Sequence, residues 1–137
     1  MMSPGSPAPD VAFLKALRGK PVVVFFYPKD ETTICTREAC AFRDTHAQFE
    51  KASAAVVGVS ADPEPSHQAF ARHHRLPYRL LSDPDGALAK AFGVPKVLGL
   101  LPGRATFVID RDGIVRLAYS APFRAADHPR KALEALR

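Results

Sequence analysis

Two apolar runs limit the folds open to this chain more than any other feature. PVVVFFY at 21–27 and AAVVGVS at 54–60 are unbroken and rich in β-branched and aromatic residues. A strand with one face in water alternates apolar and polar residues, whereas continuous apolar runs of this length are typical of strands covered on both faces. The two runs therefore predict central strands of a sheet with helices on both sides.

The segments around these runs predict the remainder of an α/β domain. Helical patterns follow both strands, at about 33–51 and at 63–75. The other predicted elements are an irregular lead-in at 3–9, a short helix or turn at 11–18, a short strand at 78–83, a turn and small helix at 84–94, a hairpin of strands 105–110 and 114–120, and a closing helix at 127–137. Strands alternating with helices and then a hairpin predict one domain over 1–137 with a mixed sheet.

Composition narrows the classes of function. The 137 residues carry 19 Lys and Arg against 14 Asp and Glu, a net charge of +5. The densest basic patch, at 71–79, holds one aromatic residue and no nucleic-acid-binding motif, so we expect no nucleic-acid partner. No apolar run approaches the roughly 18 residues of a membrane span, and the first residues lack the features of a secretory signal. With two cysteines only, the sequence predicts a reducing, cytoplasmic protein that does not bind membranes.

The two cysteines, Cys35 and Cys40, lie in the predicted helix that follows the first strand. At about 100° of rotation per residue, Cys35 shares one face of that helix with a largely apolar set, Ala39, Phe42, His46 and Phe49. Cys35 also falls in the first turn, where backbone N–H groups are unpaired and the helix dipole is positive. These are the conditions that make a cysteine thiol reactive. Cys40 lies about 140° away, off the apolar face.

Other interpretations of the cysteines are a buried apolar filler, a metal site or a Cys–His hydrolase. A zinc site needs about four ligands, and only His46 is a candidate near the two thiols. A hydrolase needs a histidine at the thiol, and no motif supports any of His46, His67, His73, His74 and His128. A disulfide requires Cα atoms about 4.4–6.8 Å apart. Residues five apart in an intact helix are separated by roughly 8.6 Å, so closing the pair requires local unwinding over about 33–43.

Three separated motifs resemble the peroxiredoxin family. Pro28, Thr32 and Cys35 fit its active-site pattern P-x-x-x-T-x-x-C, and CTREACAFRD with Cys40 resembles the subgroup called Q, or bacterioferritin comigratory protein. GRATFVID, which contains Arg104, resembles the second signature of the family. The segments SPAPD, RLLSDPDG and AFGV follow in family order, so the resemblance covers nearly the whole chain.

The resemblance implies a thioredoxin fold and an antioxidant, thiol-dependent peroxidase without a cofactor or metal. It implies that Cys35 attacks hydrogen peroxide or an alkyl hydroperoxide, that Thr32 and Arg104 donate hydrogen bonds to the reacting oxygens, and that Pro28 shields the site from water. Cys40 matches the resolving cysteine of those subgroup members that carry it on the same helix. The implied reductant is thioredoxin or a similar dithiol protein, and the implied state is a monomer, with a dimer as the alternative.

Two departures and two rival functions accompany this interpretation. The family usually has TPGC where this chain has TTIC, so we expect the bulkier Ile34 to narrow the entrance. About ten residues of an N-terminal β-hairpin are missing before RGKPVV, which predicts a shortened hairpin. The first rival is a thioredoxin-like disulfide oxidoreductase, a class that uses C-x-x-C and places a proline where this chain has Ala105. The second is a non-enzymatic redox sensor that uses unwinding of the helix as its switch.

Overall fold

The computed structural model describes residues 1–97, 101–122 and 124–136. In chain order the helices are α1 (Ala12–Ala16), α2 (Thr33–Asp44), α3 (His46–Lys51), α4 (Glu64–His74), α5 (Ala87–Phe92) and α6 (Asp127–Ala135). The strands are β1 (Val22–Phe26), β2 (Ala55–Ser60), β3 (Arg79–Ser82), β4 (Lys96–Val97), β5 (Leu101–Pro102), β6 (Ala105–Ile109) and β7 (Val115–Ser120). Within the described ranges, no helix has both the length and the apolar character to cross a membrane.

Five of the strands form one mixed sheet in the order β3-β2-β1-β6-β7. β1 pairs in parallel with β2, and β2 with β3, whereas β6 runs antiparallel to both β1 and β7. The predicted mixed sheet and its closing hairpin are thus confirmed. The register places Phe26, the last residue of β1, opposite Ala105, the first residue of β6. This pairing brings the loop after β1 close to residue 104.

The continuous apolar run of β1 is explained by cover on both faces of the sheet. All five residues of β1 are buried. Val23 and Phe25 pack with Phe42, Phe49, Phe70 and Ala132, which come from α2, α3, α4 and α6. Val22, Val24 and Phe26 pack on the opposite face, with residues that include Phe13 of α1 and Phe92 of α5. Successive side chains of a strand point to opposite faces, so every position of β1 is apolar.

The prediction of one helix over 33–51 is wrong at one point. The helix ends at Asp44, and α3 begins at His46 after Thr45, whose φ of −104° and ψ of 7° are not helical. The Thr45 hydroxyl donates to the Ala41 carbonyl at 2.8 Å, a local bond that competes with the helical backbone pattern. The predicted apolar face survives the break, because Cys35, Ala39, Phe42 and Phe49 are all buried in one cluster, while His46 is half-buried.

Two segments differ from the sequence-based prediction. No strand is predicted between 94 and 105, but Lys96–Val97 and Leu101–Pro102 form a short antiparallel pair, and residues 98–100 lie outside the described part of the chain. At the N-terminus, residues 1–21 contain α1 and a single bridge from Pro7 to Ile114, with no pair of strands. The N-terminal hairpin is therefore replaced by one bridge to the turn between β6 and β7.

Candidate active site

Cys35 lies in the first turn of α2, where the loop after β1 enters the helix. The first helical hydrogen bond runs from the Thr36 N–H to the Thr32 carbonyl at 2.8 Å, so the N–H groups just before Thr36 precede the helical ladder. The Cys35 side chain is buried, at 2% exposure, and belongs to the apolar cluster on the face of the sheet where Val23 and Phe25 pack. Both cysteines are free thiols, and Cys40 is half-buried on the same unbroken helix.

Arg104 reaches Cys35 from the start of β6. Its guanidinium donates from Nη2 to Cys35 Sγ at 3.2 Å, from Nη1 to Glu38 Oε1 at 2.6 Å and from Nε to the Pro122 carbonyl at 3.0 Å. The side chain is 4% exposed. Three donors with three fixed acceptors hold the planar group in one orientation, which a lysine could not reproduce. A positive charge is therefore fixed beside the sulfur.

Glu38 is a member of this site that the sequence analysis missed. It lies one turn after Cys35 and is fully buried, although a charged residue is seldom found in a core without a partner. Burial raises the pKa of Glu38 to about 8, while the Arg104 guanidinium acts to lower it. The only signal in the sequence was a carboxyl group beside the apolar face of the predicted helix.

His128 lies behind Glu38 and was also not assigned to the site. It is fully buried on α6, with Nδ1 2.7 Å from the Thr106 hydroxyl and 3.3 Å from Glu38 Oε2. Its Nε2 lies 3.0 Å from the Ala121 carbonyl. Burial lowers the pKa of His128 to about 4. The sequence showed five histidines with no means of ranking them, because the partners of His128 come from distant segments.

The structure places Thr32 and Pro28 in the loop before α2, but it does not bring the Thr32 hydroxyl to the sulfur. Thr32 is exposed at the N-cap position, and its hydroxyl donates to the Lys29 carbonyl at 2.9 Å. Pro28 is half-buried and follows β1. Ile34 is half-buried and lines a cleft of about 300 Å³ with Arg37 and residues 124–127. A cleft of about 560 Å³ lies elsewhere, against α1, and does not include Cys35.

A buried carboxylate fixes the loop that carries Pro28 and Thr32. Asp30 accepts hydrogen bonds from the Tyr27 hydroxyl at 2.6 Å and the Ser66 hydroxyl at 2.7 Å, and its Oδ2 lies 2.8 Å from His67 Nδ1. Burial acts to raise the pKa of Asp30, but these bonds outweigh it and hold that pKa below the ordinary value. Burial likewise acts to lower the pKa of His67, and the bond to Asp30 outweighs it, so the net shift is upward. The loop is thereby tied to α4 by an ion pair.

A second acidic residue of this loop contacts α4 at the surface. The two Glu31 oxygens lie 2.8 Å from His73 Nδ1 and 2.8 Å from His74 Nε2. These three residues are the one group among the described residues whose ligand atoms lie close enough for a metal ion. Separations of 2.8 Å are those of N–H groups bonded to a carboxylate. The contacts therefore fasten the loop to α4.

The chain is similar to a known protein family. The AhpC/TSA family matches residues 10–118. Peroxiredoxin Q, chloroplastic, from Suaeda salsa is 50% identical over 125 residues, covering 90% of this chain but 58% of the relative, and the Arabidopsis thaliana protein of that name is 45% identical over 144 residues, covering 97% and 66%. The chain thus spans about six-tenths of the length of these curated relatives.

Solved structures match over more of their own length. Peroxidoxin BcpB from Mycobacterium tuberculosis superposes with a TM-score of 0.89 at 40% identity, covering 100% of this chain and 97% of that one. Peroxiredoxin Q from Xanthomonas campestris gives 0.79 at 34% identity, covering 89% and 82%. These similarities confirm the predicted thioredoxin fold. The chain belongs to the AhpC/TSA family and, within it, to the peroxiredoxin Q group.

Proposed function

We propose that this protein is a thiol-dependent peroxidase that reduces hydrogen peroxide and alkyl hydroperoxides, with Cys35 as the nucleophile. The observation that supports it most strongly is the contact of 3.2 Å between Arg104 Nη2 and Cys35 Sγ in the first turn of α2. A fixed cation and a helix N-terminus both favour the thiolate, which is the nucleophilic form of cysteine.

The first step transfers one oxygen atom from the peroxide to the sulfur. The Cys35 thiolate attacks the terminal oxygen of ROOH, the S–O bond forms as the O–O bond breaks, and RO⁻ leaves and takes a proton to become ROH. Cys35 is oxidised to a sulfenic acid, and the peroxide is reduced to an alcohol, or to water when R is hydrogen. Negative charge spreads from sulfur along both oxygens in the transition state, so donors fixed in advance are needed there.

Donors for that charge come from Arg104, from the first turn of α2 and from the loop before it. We infer that Arg104 and the N–H groups of the first turn of α2 bind the reacting oxygens. The Thr32 hydroxyl would join them by rotating away from the Lys29 carbonyl, to which it donates at 2.9 Å. Pro28, half-buried at the start of the loop, would limit the access of water.

Cys40 would then resolve the sulfenic acid. Its thiol condenses with Cys35–SOH, forming an S–S bond and releasing water. Since α2 is intact from Thr33 to Asp44, the two Cα atoms are roughly 8.6 Å apart and the first turns must unwind. Over the range 33–43 the residues of the apolar core are Cys35, Ala39 and Phe42, so unwinding moves one large apolar side chain as well as two small ones.

An external dithiol closes the cycle. The unwound disulfide would be open to thioredoxin or a similar protein, which reduces it by thiol–disulfide exchange. Both cysteines are in one chain, so a monomer suffices for the chemistry. A reducing compartment such as the cytoplasm would maintain that supply of dithiol.

The test is peroxide-dependent NADPH oxidation coupled through thioredoxin and its reductase. We expect Cys35→Ser to be inactive and Cys40→Ser to complete one turnover and then stop, unless a small thiol replaces the missing one. Insulin reduction without peroxide consumption would instead identify a disulfide oxidoreductase. Slow oxidation without repeated turnover would identify a redox sensor. Full activity of Cys35→Ser would refute the assignment.

A further inference from the structure

A continuous chain of buried polar groups extends from the sulfur through the protein. Cys35 contacts Arg104, Arg104 contacts Glu38 Oε1, and Glu38 Oε2 faces His128 Nδ1 at 3.3 Å. Glu38 and His128 are both fully buried, and Glu38 Oε2 makes no hydrogen bond among the described residues, so His128 Nδ1 is a close neighbour of this oxygen and not yet its hydrogen-bond partner. An unpaired buried carboxylate oxygen is costly, so the imidazole beside it calls for an explanation.

The balance of charge limits the protonation states that these buried polar groups can adopt. If Cys35 and Glu38 were both ionised, two buried anions would share the single guanidinium of Arg104. Such an uncompensated charge is expensive at full burial. One proton held between Glu38 and His128 removes the excess and leaves the charge of Arg104 for the sulfur.

The contacts of His128 show where that proton can reside. Nε2 lies 3.0 Å from the Ala121 carbonyl, which only accepts, so Nε2 carries a hydrogen. In the neutral ring Nδ1 is then an acceptor, directed at the Thr106 hydroxyl and at Glu38 Oε2. A proton on Oε2 would be donated to Nδ1, and a proton on Nδ1 would be donated to Oε2. The titratable or charged groups facing His128 from the surrounding elements are Glu38 of α2, Arg104 before β6, Tyr119 of β7 and Asp127 of α6.

We propose that His128 is a positioning residue for the reaction at Cys35. By sharing one proton with Glu38, it holds the carboxyl in line with Arg104 and so directs Nη2 at the sulfur without cancelling the guanidinium charge. His128 touches neither sulfur nor peroxide and acts through Glu38. The inference deepens the proposed function and rests on it.

The test measures the reactivity of Cys35 without peroxide. In a Cys40→Ser background, the rate of alkylation by iodoacetamide from pH 5 to pH 9 reports the Cys35 thiolate. We expect His128→Leu to slow alkylation at pH 7 roughly tenfold, because Arg104 loses its alignment. The difference should vanish at high pH, where the thiol ionises in any case. His128→Asn, which keeps a polar group near the position of Nδ1, should stay within about threefold of the parent.

Two matched variants separate positioning from general loosening. Glu38→Gln copies the protonated carboxyl, accepting from Arg104 and donating to His128, so it should slow alkylation much less than His128→Leu does. Thr106→Val removes the other partner of His128 Nδ1 without touching Glu38, so it should lower stability but leave the pH profile unchanged. Unfolding in denaturant confirms that each variant is folded.

Three results would overturn the proposal. The first is a folded His128→Leu variant that alkylates like the parent. The second is equal slowing in His128→Leu and Thr106→Val. The third is a Glu38→Gln variant as slow as His128→Leu, which would mean that an ionised carboxylate is needed. Because alkylation requires no peroxide, these results are distinguishable from a failure of the peroxidase assignment, which would show as a parent protein that does not consume peroxide.

Discussion

Replacing Arg104 by glutamine should slow the reaction of Cys35 with peroxide by about two orders of magnitude. At 3.2 Å and an effective dielectric constant of about 20, the gross attraction between a guanidinium and a thiolate is about 5 kcal/mol. Glutamine keeps a neutral N–H donor, and a neutral hydrogen bond is roughly half as strong as a charge-assisted one, so we expect a loss of about half of this, roughly 2.5 kcal/mol. At about 1.4 kcal/mol per factor of ten, the loss is roughly a hundredfold, similar to the loss of one oxyanion-hole donor.

The assay is a stopped-flow reaction of the Cys40→Ser protein with one equivalent of hydrogen peroxide, with the sulfenic acid trapped by dimedone. Arg104→Lys should lie between the parent and Arg104→Gln, since an ammonium keeps the charge but cannot reach Cys35, Glu38 and Pro122 together. Stability needs its own control, because removing one partner of a buried pair such as Arg104 and Glu38 costs about 3–5 kcal/mol. The double variant Arg104→Gln/Glu38→Gln should recover stability but not rate. A folded Arg104→Gln protein that reacts within threefold of the parent would refute the reasoning.

Three other predictions test the fold and the resolving step. Phe42→Ala should lower the free energy of unfolding by about 3–5 kcal/mol in urea titration, because this ring is fully buried and stacks on Phe25; a loss under 1 kcal/mol would contradict the packing. Arg37 is exposed between the two cysteines, and Arg37→Gly should weaken α2 by about 1 kcal/mol and so speed disulfide formation from the sulfenic acid about fivefold. The control Gln48→Gly, in α3, should not change that rate. Equal effects of the two substitutions would contradict local unwinding. The pKa of His67 is raised in the folded protein, so its pair with Asp30 stabilises the fold fully below the pKa of the unfolded chain, near 6.5. That contribution is lost as pH rises through the pKa of the folded protein. A His67→Gln protein should therefore show a flatter dependence of stability on pH from pH 6 upward.

The sequence was sufficient for those parts of the fold that depend on local pattern. The unbroken run in β1 indicated cover on both faces, and the spacing of Cys35, Ala39 and Phe42 indicated the face of α2 that meets the sheet; all three are buried there. Arg104 was identified by resemblance alone, because nothing in its local sequence distinguishes it from a surface arginine.

The missed residues share a physical cause. Glu38 and His128 look like solvated polar residues of two amphipathic helices, and their burial depends on partners from other elements. A helix pattern cannot reveal a partner on another element, so the pair stayed hidden. The helix break at Thr45 was missed for a related reason, since a threonine that bonds Ala41 looks the same in sequence as one facing water.

We infer that the environment of Cys35 makes this thiol unusually reactive towards peroxide. The most direct test is the rate at which the Cys40→Ser protein consumes one equivalent of hydrogen peroxide, with the oxidised residue located by mass spectrometry. We expect oxidation at Cys35 to sulfenic acid at least roughly a thousandfold faster than free cysteine in the same buffer. A rate equal to that of free cysteine, in a folded protein, would contradict it.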